Sequence, residues 1–266
     1  MEQSPIEIEQ RQAVVKITLN RPRTYNAFDF SMGRELLGAL QNASHRGDVR
    51  AVILTGHGKA FCSGGDVQAM ARFMEEGNDP PLVFFRDLTH YLHSIVVEMR
   101  LMAKPIVAAV NGVAAGAGFS LALACDIILA SSEARFTQAY TRLGLVPDGG
   151  STYFLPRLVG PAKAAELAML NPMISAEEAL GLGIINRVVP HERLDQEAWQ
   201  TALELANGPT LAYGRLKQLL LHSWGNTLET QLEMERRAIM SSSMTKDFRE
   251  GVQAFLTKRK PDFSGR

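Results

Sequence analysis

Three short glycine-containing segments carry the residues best suited to chemistry: Cys62-Ser63-Gly64-Gly65-Asp66, Gly116-Ala117-Gly118 and Asp148-Gly149-Gly150. The first two stand where helical patterns begin, over 67–74 and 119–124. A helix start exposes N–H groups that have no intrahelical acceptor, and the helix dipole there favours negative charge. Singly, such glycines need only make tight turns, which glycine enters freely. Two of them in one core suggest N–H donors converging on a single oxygen, an oxyanion hole. The third segment supplies an acid. Asp148 lies in Gly144-Leu145-Val146-Pro147-Asp148-Gly149-Gly150-Ser151, among small and apolar neighbours. It suits either an N-cap for a helix beginning near Ser151 or a proton-transfer group whose basicity rises with desolvation. The residues alone leave those two roles even.

These segments need a framework to hold them. Strand patterns run over 14–19, 49–56, 106–110, 127–130 and 184–189, and residues 51–54 are apolar throughout, as in a strand buried on both faces. Helical patterns lie between them, over 29–44 with Asp29 or Ser31 as cap, and over 82–102. Strand–helix alternation predicts an α/β domain with mostly parallel pairing. After about Pro190 the patterns are helical only, over 196–206, 210–222 and 227–240. The predicted layout is an α/β core over 1–193 and a helical region over 194–266.

Composition narrows the function. Hydrophobic residues make up 46% of the 266, which excludes wholesale disorder, and 28 basic residues against 28 acidic ones give no global pull toward nucleic acid or anionic membrane. Two cysteines, Cys62 and Cys125, are too few for a disulfide framework. With a polar, acidic start rather than a leader pattern, they predict a cytoplasmic setting. The apolar stretch 105–130 is broken by Asn111, Ser120 and Asp126, so it fits a buried strand, turn and helix better than a membrane span, although Asp126 has no visible partner. No Walker, H-E-x-x-H, C-x-x-C or G-x-S-x-G sequence occurs, and Leu121 breaks a G-x-G-x-x-G match. His90 and His93 share a helix face but lack a third ligand, so no metal is expected. Phe84, Phe85, Leu88, Tyr91 and Leu92 beside them are most simply packing residues.

The set Asn20-Arg21-Pro22, Asn26-Ala27, Ala60 to Asp66, Ala108 to Gly112, Ala115 to Gly118 and Cys125-Asp126-Ile127 resembles the crotonase (enoyl-CoA hydratase/isomerase) superfamily over nearly the whole chain, in order and spacing. The resemblance implies an α/β fold, a crotonase-like spiral of ββα units with a helical C-terminal region that covers the active site and assembles homotrimers or dimers of trimers. It implies an acyl-CoA thioester substrate, with coenzyme A carried by the substrate and no separate cofactor. The thioester oxygen would be held by the N–H groups of Ser63 and Ala117. Gly64, Gly65, Gly116 and Tyr140 would line the substrate site, with Asp66 beside them and more suited to capping than to chemistry. Arg23, Lys258 and Lys260 would meet the CoA phosphates, the last two from a neighbouring subunit; a solvated basic tail is the equal alternative.

Within the family, acids separate the reactions. Hydratases carry two glutamates where this chain has Ser120 and Tyr140, so neither usual acid for adding water is present. An Asp in the position of Asp148 resembles the isomerases, including those acting on ring-epoxidised phenylacetyl-CoA. The resemblance thus implies isomerisation through an enolate, either of a 3-enoyl-CoA to a 2-enoyl-CoA or of a ring epoxide. A 2-enoyl-CoA hydratase is the leading rival. An aryl-CoA dehalogenase, whose pattern has a Trp near position 140, and a non-catalytic acyl-CoA- or RNA-binding scaffold rank lower.

Overall fold

A computed structural model describes residues 4–77 and 79–266. Among the described residues ten strands form two sheets. The larger has six, β1 (Ile6–Arg11), β2 (Val14–Leu19), β3 (Ala51–Gly56), β5 (Ile106–Val110), β7 (Ile127–Ser131) and β10 (Arg187–Val189), in the order β1-β2-β3-β5-β7-β10. The smaller has four, β4 (Ala60–Cys62), β6 (Val113–Ala115), β8 (Arg135–Thr137) and β9 (Ile174–Ser175), in the order β4-β6-β8-β9. In three successive turns, β3–β4, β5–β6 and β7–β8, the chain lays one strand in the large sheet and the next in the small one before a helix returns it. The result is a spiral of ββα units, the α/β architecture expected. β2, β3, β5, β7 and β10 pair in parallel, while β1 is an antiparallel edge.

Helices α1 (Phe30–His45), α3 (Pro81–Leu101) and the wholly buried α4 (Ala117–Ala124) enclose the main core with the apolar sides of both sheets. Asp29 caps α1 by accepting the Met32 N–H at 2.8 Å, which settles the choice between Asp29 and Ser31. The short helices α2 (Val67–Glu76), α5 (Ser151–Val159), α6 (Pro161–Leu170) and α7 (Ala176–Gly181) complete the α/β part. Beyond it lie α8 (Leu194–Ala206), α9 (Thr210–His222), α10 (Leu228–Ser243) and α11 (Lys246–Leu256).

Three expectations change. The strand predicted over 184–189 forms only over Arg187–Val189, because Ile184 and Ile185 turn into the core and the Asn186 side chain accepts the Ile128 N–H at 2.7 Å. The division at 193/194 is not a packing boundary: Leu194, Ala198, Trp199 and Ala202 of α8 cover the outer face of β2, β3, β5 and β7. Asp126 does have partners, Arg100 at 3.2 Å and Lys217 at 2.7 Å. Among the described residues no helix is long and apolar enough to cross a membrane.

Candidate active site

The two glycine turns meet. β4 ends at Cys62 and runs through Ser63-Gly64-Gly65 into α2, which Asp66 caps by accepting the Ala69 N–H at 3.0 Å. Burial pushes the Asp66 carboxyl up, but that N–H and the Arg21 guanidinium at 3.0 Å outweigh it and leave it below the ordinary carboxylate value. It is a cap, as its position implied. β6 ends at Ala115, and Gly116, with φ 51°, opens α4 at Ala117. A Cβ on Gly116 would lie 3.5 Å from the Gly64 Cα, and one on Gly118 would run into the Cys62 carbonyl. The exit of β4 and the start of α4 therefore press backbone against backbone.

That contact decides which donors are free. The Ser63 N–H, expected to hold a substrate oxygen, instead donates to the Tyr25 carbonyl at 3.0 Å. Phe28 donates to the Gly64 carbonyl at 2.7 Å, and Asp66 to the Phe28 carbonyl at 2.9 Å. The Gly65 N–H between them has no acceptor among the described residues, and neither has that of Ala117, the first residue of its helix. Gly65 and Ala117 line one cavity of about 460 Å³. The first member of the expected pair is thus corrected: the Tyr25 carbonyl occupies Ser63, and the N–H groups of that turn left without an acceptor among the described residues are those of Gly64 and Gly65.

The third turn brings the acid to the same cavity. Asp148 does not cap α5, whose N-cap is Gly150 without a side-chain bond. Its Oδ1 accepts the Tyr140 phenol at 2.6 Å, and Ser120 of α4 holds its backbone carbonyl at 2.9 Å. The Ser120 Oγ also lies 3.0 Å from the Tyr140 hydroxyl. Gly149, at φ 58°, is wedged against Ser120 and Leu92, where a Cβ would come within 2.9 and 3.1 Å. Burial pushes the Asp148 carboxyl above its ordinary value; the Tyr140 hydrogen bond and, more weakly, His93 pull the other way without cancelling it. Burial raises the Tyr140 phenol too, so it stays a neutral donor.

The cavity walls are apolar, from Phe28, Met70, Phe85, Leu88, Leu92 and Val146 among others, and Asp148 and Arg142 are its two charged lining residues. Phe85, Leu88 and Leu92, predicted as packing residues, thus also form wall. Arg142 and Phe28 carried no recognisable signal in the sequence. Ser63, Gly64, Gly116 and Tyr140 line the cavity, and Asp66 lies outside its lining. Arg23 is exposed and outside the lining, as are Lys258 and Lys260. Arg259 beside them pairs with Glu250. No lining residue comes from 194–266, so the helical region does not cover the cavity of its own chain. Among the described residues no group of three metal-ligating side chains forms, at His90 and His93 or elsewhere.

Backbone N–H groups without acceptors among the described residues and a desolvated carboxylate thus share one apolar cavity. Comparison with known proteins assigns the family. The model of the enoyl-CoA hydratase/isomerase family matches residues 9–266, and the chain belongs to that family. It is similar to the 1,2-epoxyphenylacetyl-CoA isomerase of Escherichia coli, 40% identical over 96% of each chain. It is also similar to a Rhodobacter capsulatus protein named probable enoyl-CoA hydratase, 42% identical over 98% of each chain. The crystal structure of an enoyl-CoA hydratase from Bacillus anthracis superposes with a TM-score of 0.91 at 34% identity, over 98% of this chain and 100% of that one.

Proposed function

We propose that the chain is an acyl-CoA isomerase, with Asp148 as the group that moves the proton. The observation that carries this is the lone carboxylate: Asp148 is the one acid lining the cavity, while Ser120 and Tyr140 stand where the family's hydratases have glutamates. Asp148 takes a proton from the carbon next to the thioester of a 3-enoyl-CoA. The electrons pass into a dienolate whose oxygen is held by the Gly65 and Ala117 N–H groups. Asp148 returns the proton two carbons away, giving the 2-enoyl-CoA. Proton out and proton back balance with no redox group or metal, and CoA enters as part of the substrate. Apolar walls suit a hydrocarbon or ring acyl group, so a ring-epoxidised aryl acetyl-CoA is the second substrate considered.

The assembly proposed is a homotrimer or a dimer of trimers, since the tail helices carry exposed apolar residues such as Phe255 and Leu256. Lys258 and Lys260 would then face a neighbour's CoA. A cytoplasmic setting accords with two buried, unpaired cysteines, and no nucleic-acid or membrane partner is proposed.

The test compares 3-hexenoyl-CoA and 2-hexenoyl-CoA as substrates of the native enzyme and of Asp148→Asn. Conversion of the 3-enoyl thioester, lowered about 100- to 10,000-fold in the variant, is the expected result. Rapid hydration of the 2-enoyl thioester that survives in Asp148→Asn would establish the hydratase instead. Turnover only of a ring epoxide would move the substrate to that class.

A further inference from the structure

Tyr140 is placed with more care than a wall residue needs. The residue before it, Ala139, is a non-glycine held at φ 59°, in the left-handed region, and it too lines the cavity. Such a conformation persists where surrounding structure imposes it. The phenol it presents lies beside Gly116, whose Cβ would fall 3.9 Å from the Tyr140 Cζ. The hydroxyl therefore stands between the base and the turn that opens the Ala117 donor, bonded to Asp148 Oδ1 at 2.6 Å and next to Ser120 at 3.0 Å. Proton counting fixes the direction. Tyr140 has one hydrogen and gives it to Asp148, so toward Tyr140 Ser120 can only donate, and its one hydrogen serves Tyr140 or the carbonyl of Asp148 or Gly116. No described residue donates to Asp148 Oδ2.

We infer that Tyr140 is a positioning residue: its phenol clamps Oδ1 of Asp148, so that Oδ2 alone takes the substrate proton and gives it back. The inference deepens the proposed isomerase and rests on Asp148 being its base. With one oxygen engaged throughout, the carboxyl group need not rotate between the two carbons, and water has no second oxygen to protonate.

The other groups facing Asp148 are few. Ser120 on α4 does not titrate, His93 lies on α3, and Arg142 shares the cavity but gives its guanidinium to the Asn171 carbonyl. Removing the phenol leaves burial opposed only by His93 and the residue's own backbone N–H, so the carboxyl must titrate at higher pH.

Carboxyl-carbon NMR of the full-length protein labelled at aspartate reads this directly, with the Asp148 signal assigned by its loss in Asp148→Asn. In Tyr140→Phe the Asp148 midpoint should rise. With 3-fluorotyrosine installed at position 140, a more acidic phenol and a stronger donor, it should fall. Opposite movements in two near-isosteric variants are not produced by a packing role. Midpoints that stay put in both would overturn the inference. Turnover of 3-hexenoyl-CoA adds the functional arm. Tyr140→Phe should lower kcat about 10- to 100-fold with KM within about 3-fold, and move the acidic limb of the kcat profile upward. Combined with Asp148→Asn it should add nothing to the loss. Full turnover in Asp148→Asn would sink the base assignment while leaving the titration evidence for the clamp intact. An inactive Asp148→Asn beside an unaltered Tyr140→Phe would sink the clamp alone.

Discussion

A carboxyl group raised by burial costs stability wherever it ionises, and Asp148 shows the sign plainly. Its folded-state value lies above the unfolded one, so the stability it contributes is complete below the ordinary Asp range and is lost as pH rises through the raised value. Asp148→Asn should therefore be more stable than the native enzyme at pH 7 to 8, with the difference vanishing near pH 3; melting temperatures across that range check it. Gly118→Ala should act in the opposite sense, since its Cβ meets the Cys62 carbonyl and must push α4 off β4. Loss of about 1–3 kcal/mol in denaturant unfolding is expected, with turnover falling as the Ala117 donor is displaced. At this scale the sequence was half legible. Apolar neighbours marked Asp148, but whether it capped or reacted depended on the phenol of Tyr140, which no local pattern announces. Which N–H of the first turn is free depended on the Tyr25 carbonyl, delivered by a left-handed turn at Tyr25 and Asn26 with φ of 54° and 56°.

The elements are tied together by a charge cluster in which Lys217 is buried and Asp126 and Arg100 are half-buried. Asp126, just before β7, accepts the Ile106 N–H of β5 at 2.9 Å, Lys217 of α9 at 2.7 Å and Arg100 of α3 at 3.2 Å. Lys217 also donates to the carbonyls of Met99 and Lys104. Burial pulls its ammonium below the ordinary lysine value, and Asp126 opposes that. Asp126→Ala leaves Lys217 buried without its countercharge and should cost about 3–5 kcal/mol. Lys217→Met leaves Asp126 paired with Arg100 and should cost clearly less; equal losses in urea unfolding would refute the ordering. The long strands β2, β3 and β5 were readable from their apolar runs. The small sheet was not, because strands of two or three residues are too short for periodicity to register. The edge strand β1 hid behind its own polarity: Ile6 is buried, but Ile8 faces outward among Glu7, Glu9 and Gln10.

Across the whole molecule, charge is balanced but apolar surface is not. α10 buries none of its residues, and with α11 and the link between them it exposes Leu228, Ile239, Met240, Met244, Phe255 and Leu256. Apolar surface exposed on that scale is what the proposed contact between chains would cover. Sedimentation velocity should find a species of three or six chains of 29.2 kDa, and Phe255→Glu with Leu256→Glu should release single chains. Retention of full assembly in that variant would place the interface elsewhere. The cysteine count and the helical tail were legible in the sequence, whereas the tail's failure to reach its own cavity was not, since that depends on where α9 to α11 swing. The make-up of the site bears on how such a chain can change over time. The two oxyanion donors proposed for it are peptide groups, which ordinary point mutation at Gly65 or Ala117 alters in side chain but, proline aside, never deletes. The residues proposed to choose the reaction, Ser120, Tyr140 and Asp148, are side chains from three separate segments and are free to vary one codon at a time. On that proposal, grip on the thioester is inherited with the fold, while the chemistry performed on it is open to exchange.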